Sequence, residues 1–431
     1  MSESDVLASG LHPPPEESSP FAATQAAWRF FNNPAVTLPQ LAHPLISCAR
    51  FGAALSCEKW LLTVWDWSFL HYNGHRSKRD RVSLSRKKDM GYNLLTALTL
   101  SDCDGSPLAP VCLELEAAEG VYSTRERDPL PVGSQLDDLT KVMAHVEGLQ
   151  FGPPLVHMID READSLGHYR HWQRENWFFL VRADDTRQVL HNGQARRLDQ
   201  VVKQLHRHKQ FQPNRQVHYK GQGAQQWVAE TTVVLHRPAR QHRVKDGKAR
   251  HVNVPGSPLA LRLVVSEIRG KDGRVLACWL LLTNVPSRVS PVVIALWYYW
   301  RWRIESYHKL LKSGGWQVEH WQQETAAAVA RRLAVTAMAA VVVWHLARDK
   351  RPEAAELRDV LIRLSGRQMK RGRTGRGFTE PALLAGLGIF ISMLALSEEY
   401  TIPTLRKLAR HTLPHILPGL SLDRAIRRES G

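Results

Sequence analysis

A mixed α/β fold, a sheet flanked by helices, is what this sequence predicts, and three observations predict it. Two apolar runs, Trp60–Asp66 and Leu155–Asp160, each close on an aspartate and read as buried strands. Two further strand-like runs and an amphipathic helix lie between them, the order of a meander followed by a crossover. Late in the chain, a helix-forming stretch rich in rings carries Glu305 among cations.

In order, residues 1–20 are rich in Pro, Ser and Glu and predict a disordered arm. Phe21 to Ala54 is helical in pattern but is expected to break at Pro34, Pro39 and Pro44, with Trp28–Asn33 as a short packed helix. The first strand is expected to end at Asp66, with basic residues following from His71 to Lys88. Gly91–Leu100 and Leu108–Leu115 predict two more strands, joined by the turn Asp102-Cys103-Asp104-Gly105. Leu136–Leu149 is amphipathic, Leu155–Asp160 is the fourth strand, Arg161-Glu162-Ala163-Asp164 opens a helix, and Trp177–Arg182 is another strand. Three strands, a helix, a strand and a helix, with acids ending the first and fourth strands, is the order of the ribonuclease-H-like fold.

From Ala183 to Lys271 the chain turns polar, with Gln, His and Arg between strand-like runs at Trp227–Leu235 and Leu259–Ile268, and a β-rich insertion is expected. Val275–Thr283 returns to an apolar strand, the ring-rich helix begins near Ser290, and Glu324–Leu346 is a long buried helix. The tail holds a basic, Gly-broken loop at Lys370–Gly377 and an apolar helix at Leu383–Leu396 suited to packing on a partner. The expected divisions are a shortened N-terminal arm (1–54), a core in two parts (55–182 and 275–350), the insertion (183–274) and a helical C-terminal region (351–431).

The totals narrow the function. A chain of 431 residues, 43% hydrophobic and 23% charged, is globular and long enough for two or three domains. Its net charge of +17 calls for a polyanionic partner, nucleic acid before an anionic membrane, because no basic amphipathic helix stands out. The longest apolar run, Leu333–Ala347, is expected to be too short to span a bilayer. Five scattered cysteines without a C-x-x-C pair argue against a zinc ribbon or disulfide framework, and no signal pattern opens the chain, so a cytoplasmic setting is expected.

Tyr298, Arg301, Glu305 and Lys312 are spaced three, four and seven apart, the rhythm of one helical face, while Trp302 and Leu310 fall elsewhere on the wheel and are expected to face a core. Should Asp66, Asp160 and Glu305 converge, they form an oxygen-rich site for Mg²⁺ or Mn²⁺, with two ions serving phosphoryl transfer. The blander readings are helix caps for the aspartates and a solvated ion-paired face for the helix. His206–Lys209 reads as an exposed basic loop, His157 as a satisfied core or edge residue, and Lys370–Arg376 as a non-specific backbone contact or a solvated loop.

The spacing Tyr298-x2-Arg301-x3-Glu305-x6-Lys312 resembles the YREK signature of the insertion-sequence-four family of bacterial DDE transposases, and Arg301–Glu305 with His308-Lys309 is similar to its transposon-five branch. Asp160-Arg161-Glu162-Ala163-Asp164 is similar to the family's second-acid motif, Asp66 falls where the first acid is expected, and a β-rich insertion is a family trait. The resemblance covers roughly residues 22–350. It implies a metal triad of Asp66, Asp160 and Glu305, phosphate grip by Tyr298, Arg301 and Lys312, a ring at Trp279 that stacks on a flipped base, and a DNA contact at Arg182. It also implies double-stranded DNA as substrate, a homodimer holding paired ends, and cut-and-paste chemistry through a hairpin. The chain departs from the pattern at Trp67-Ser68, where threonines are usual, and in its short N-terminal region. Rival expectations are an inactive or domesticated DNA-binding copy, and a metal-dependent nuclease without strand transfer.

Overall fold

The computed structural model describes residues 20–86, 88–245, 248–366, 371–372, 375–376 and 378–408; the expected disordered arm and part of the Lys370–Gly377 loop lie outside the described residues. The chain divides into two units, residues 31–348 and residues 1–30 with 349–431.

Helix α1 (Pro20–Asn32) ends at the Asn pair, and α2 spans Leu38–Ser56. The Thr37 hydroxyl accepts from the Gln40 amide at 3.4 Å while Gln40 Oε1 accepts from the Thr37 amide at 3.0 Å, a reciprocal cap that fixes where α2 starts. Pro39 lies in the first turn, where a missing N–H costs little. Pro44 lies inside α2 and does not break it, contrary to expectation. Burial of Ala42, Leu45, Ala49 and Ala53 along one side offsets a penalty of about 3 kcal/mol for an internal proline.

Strand β1 spans Leu61–His71, so Asp66 stands in mid-strand and not at a tip as expected. The strand continues because Asp66 through His71 go on pairing with one neighbour after the other has ended. β2 (Val82–Ser83), β3 (Met90–Ser101), β4 (Pro107–Ala117) and β5 (Gly120–Ser123) complete an antiparallel meander. Helix α3 (Gln135–Gly148) leads to β6 (Leu155–Ile159). Arg161–Ala163 form a single 3-10 turn where a longer helix was expected, because Asp160 caps the turn and the helix α4 restarts at Leu166, running to Arg174. β7 is Phe178–Arg182. The order β4-β3-β1-β6-β7, with β3 antiparallel to β1 and β6 and β7 parallel to it, is the ribonuclease-H-like sheet.

The segment after β7 holds β8 (Gln188–His191), β9 (Gln194–Arg197), helix α5 (Leu198–Arg207), β10 (Gln212–Tyr219), β11 (Gln222–Leu235), β12 (Ala239–Lys245), β13 (Lys248–Val254) and β14 (Leu259–Arg269). β15 (Val275–Thr283) then pairs antiparallel with both β14 and β7, so these strands extend the core sheet. The His206–Lys209 cluster is not a free loop: His206 and Arg207 end α5, and His206 Nε2 lies 2.8 Å from Glu267 Oε1.

Ser290 caps α6 (Pro291–Trp300), which continues through Arg301-Trp302 into α7 (Arg303–Lys309) and a π-helical turn at Leu310–Gly314. The buried helix α8 follows at Ala326–Arg348. In the second unit, α9 (Pro352–Leu364) and α10 (Glu380–Glu399) pack closely enough that a Cβ on Gly386 would lie 2.0 Å from the Leu361 carbonyl oxygen. By length and composition α8 and α10 each suffice to cross a membrane, which corrects the expectation drawn from the apolar run alone; α8 is mostly buried, whereas α10 exposes Ile389, Met393 and Leu394.

Candidate active site

Sheet register positions half of the site. β1 and β6 are parallel with Val64 opposite Met158, and β6 and β7 are parallel with Ile159 opposite Val181. Asp66 comes two residues past the β1–β6 pairing, Asp160 directly follows β6 and Arg182 ends β7, so the three form a row where the paired stretches end, and Asp160 is near enough to act on the Asp66 carboxyl. On the other side Asp66 pairs with Thr96 of β3. Behind this row, Trp65 Nε1 donates to His157 Nδ1 at 3.0 Å and His157 Nε2 lies 2.9 Å from Glu147 Oε1. That buried chain ties β1, β6 and α3 together, and His157 is the satisfied core residue expected of it.

The α6–α7 segment supplies the other half. Trp297 Nε1 donates to the Asp102 carbonyl at 3.4 Å, and the Trp300 ring packs on Gly105, whose φ of +68° suits glycine at the β3–β4 turn. Ile304, Tyr307, Leu310 and Leu311 are buried, while Trp302 is 66% exposed, contrary to its expected core role. The helix is not uniform. The Ile304 amide donates to the Arg301 carbonyl, a tighter turn than an α-helix makes, and the winding then loosens at Leu310–Gly314. Tyr298, Arg301, Glu305 and Lys312 therefore do not share one regular helical face.

Ligand atoms of Asp66, Glu305 and His308 all lie within 4.8 Å of one another. Asp160 stands outside this tight set, and its Oδ1 accepts from the Glu162 amide at 2.9 Å. Burial pushes the Asp66 carboxyl up to about 7; Arg301 works against that shift, while Glu305 and Asp160 add to it. Arg301 is 8% exposed, and its Nη1 has no hydrogen-bond partner and lies 3.8 Å from Asp66 Oδ1. Burial disfavours the charge on Arg301, but Tyr298, Asp66, Asp160 and Glu305 together hold its pKa above the ordinary value. Burial raises the Tyr298 phenol while Arg301 and Arg182 pull it back, so those groups sense one another.

Lys312 is engaged elsewhere: its Nζ donates to the Phe69 carbonyl at 2.5 Å and lies 3.7 Å from Glu319. Trp279 is half-buried at a T-shaped 6.3 Å from Tyr219, not in the core. Asp164 is taken up structurally, 2.6 Å from Arg187 and accepting from Tyr169 Oη at 2.8 Å.

His308 was absent from the expected site. Burial, with Lys312 and Arg301 nearby, lowers its pKa to about 3, so the ring is neutral. Its spacing from Glu305 was the available signal, since residues three apart share a helix face. The residues present suit a hard divalent cation: crowded acids, one lifted toward neutrality by its neighbours, gain from a positive charge set among them. The orphaned guanidinium nitrogen suits an anion held beside it.

Residues 142–342 match the family described as Transposase DDE domain, a stretch that contains Asp160 and Glu305 and leaves Asp66 outside. No curated protein matches the chain. Among solved structures, the chain is similar to the cryo-EM structure of piggyBac transposase synaptic complex with hairpin DNA, at 10% identity and a TM-score of 0.33 over 85% of this chain. It spans 60% of the length of that transposase chain.

Proposed function

We propose that this chain is a bacterial DDE transposase of the insertion-sequence-four type, akin to the transposon-five enzyme, working in the cytoplasm on nucleoid DNA. The carrying observation is the cluster of Asp66, Glu305 and His308 beside a buried Arg301 nitrogen that has no hydrogen-bond partner, with Asp160 near enough to act on the Asp66 carboxyl. The Transposase DDE domain match over residues 142–342 supports it, as does the net charge of +17.

In this reading Asp66, Asp160 and Glu305 hold two divalent ions, Mg²⁺ or Mn²⁺. When bound, such ions acidify the attacking water or 3′-hydroxyl and neutralise charge on the scissile phosphate. Arg301 binds a phosphate oxygen through its free Nη1, and Tyr298 and Arg182 line the same approach. Trp279 offers a half-exposed ring to a base flipped from the duplex, a contact worth about 1–3 kcal/mol per base. Water attacks phosphorus at the element's end and the P–O3′ bond breaks; the freed 3′-hydroxyl then attacks a phosphodiester of the opposite strand, displacing the 3′-oxygen of the flanking DNA and closing a hairpin. A second water reopens it, and the 3′-hydroxyl displaces the 3′-oxygen of a target phosphodiester. Residues 55–182 and 275–350 form the core in this reading, 183–274 the insertion and 1–54 an end-reading arm. The apolar face of α10 within 351–431 is offered to a second copy, which completes a homodimer on paired ends.

The test is cleavage, in Mg²⁺, of duplexes taken from the DNA flanking the coding region. Nicks, hairpins and joined products are expected, and all should vanish in Asp160→Asn and Glu305→Gln. Cleavage surviving those changes overturns the reading. Cleavage without joined products points to a nuclease, and DNA binding without cleavage to a domesticated copy.

A further inference from the structure

We infer that His308 is a direct metal ligand through Nδ1, oriented by Thr96, so that the ion between Asp66 and Glu305 has a mixed oxygen and nitrogen shell. This rests on the metal-dependent reading above and goes beyond its three-carboxylate set. The two ring nitrogens have different neighbours. Nε2 lies 3.4 Å from the hydroxyl of Thr96, which is fully buried on β3. Nδ1 faces the opposite way and lies 3.8 Å from Asp66 Oδ2, too far for a hydrogen bond. The ring is 5% exposed, so solvent does not compete for either nitrogen.

If Nε2 carries the proton and donates it to Thr96, the Nδ1 lone pair points at a carboxylate across a gap wide enough for an ion. Two acceptors facing each other in a buried pocket repel unless a cation lies between them. A hydrogen bond from the far nitrogen is what orients a ligating histidine. Glu305 and His308, three apart on α7, form a Glu-x-x-His pair projecting from one helix face, an arrangement used to bind metals in helical proteins.

An imidazole in the shell changes which ion the site prefers. Carboxylate oxygens alone suit Mg²⁺, whereas a nitrogen donor is better accepted by first-row transition metals, Mn²⁺ included, than by the harder Mg²⁺. The chain should therefore select Mn²⁺ over Mg²⁺ more strongly than a site of oxygens alone.

The experiment uses the full chain with Mn²⁺ as the probe, read by electron spin-echo envelope modulation, which reports nitrogen bound to manganese without any turnover. The expected result is a ¹⁴N coupling in the native protein that disappears in His308→Gln, with Mn²⁺ affinity falling about 10- to 100-fold. Thr96→Val should keep the coupling but weaken Mn²⁺ about 10-fold, because it frees the ring without removing the nitrogen. Manganese bound with no ¹⁴N coupling in the native protein overturns the inference and leaves the carboxylate site standing. No manganese bound at all overturns both. The native spectrum decides between these outcomes even if a variant misfolds.

Discussion

The two halves of the site are positioned by different means. Asp66, Asp160 and Arg182 stand where the paired stretches of the parallel strands β1, β6 and β7 end. Tyr298, Arg301, Glu305 and Lys312 ride on a helix that tightens after Arg301 and loosens after Lys309. A sheet fixes its residues by register, and a slip of one residue would turn every side chain to the other face. The helical half depends on local winding and on anchors such as Trp297 at Asp102, so its spacing in sequence is a poorer guide to what faces what. Register sets the strand half and local winding the helical half.

The sharpest way to break this comparison is to remove one acid from each half. Asp66→Asn and Glu305→Gln should each lower Mg²⁺-dependent cleavage by about 10³-fold or more, as loss of several kcal/mol of charge stabilisation implies. A much smaller loss in one of them, measured in single-turnover assays, would assign the chemistry to one half alone. Stability should divide differently. Trp65→Ala, a fully buried ring that also leaves His157 without its donor, should cost about 3–5 kcal/mol, while Trp302→Ala, 66% exposed, should stay within about 0.5 kcal/mol. Denaturant midpoints at constant slope check both.

A pH series follows from Asp66. Its carboxyl titrates near 7 in the metal-free fold against 3.8 for the ordinary group. Between those values the unfolded chain has released this proton and the folded chain still binds it, so stability falls as pH rises and levels off above about 7. Divalent cation should restore the loss, giving a larger shift in urea midpoint at pH 8 than at pH 5; equal shifts would contradict the crowded-acid account. The smallest effect concerns Lys312, tied to the Phe69 carbonyl. Lys312→Ala should cost about 1 kcal/mol of stability and leave the salt dependence of DNA affinity unchanged. A salt slope reduced by about one phosphate contact would instead return Lys312 to the phosphate-gripping role.

Much of the sheet was legible because apolar runs mark buried strands whatever their neighbours do. Leu155–Ile159 and Val275–Thr283 are cases in point. The position of Asp66 was misjudged for a physical reason: the apolar run ends there, but the strand goes on, held to β3 alone through Ser68, Phe69 and Leu70. Helix α5 escaped notice because its apolar residues, Leu198, Val201 and Leu205, are few and set in a polar segment. An ideal helical wheel puts Trp302 toward a core, but at Arg301–Trp302 the winding is not ideal and the ring is 66% exposed. His308 was readable from its distance to Glu305, but its meeting with Asp66 depends on how α7 lies over β1, which no local pattern encodes.

The pairing of β15 with β7 carries an architectural consequence. The chain leaves the core at Arg182 and re-enters on the adjacent strand, where the Ala183 amide donates to the Leu280 carbonyl at 2.7 Å. Exit and return are thus side by side, like the two ends of a drawer. An elaboration attached this way can be lengthened, trimmed or exchanged over generations while the acids upstream and downstream keep their places.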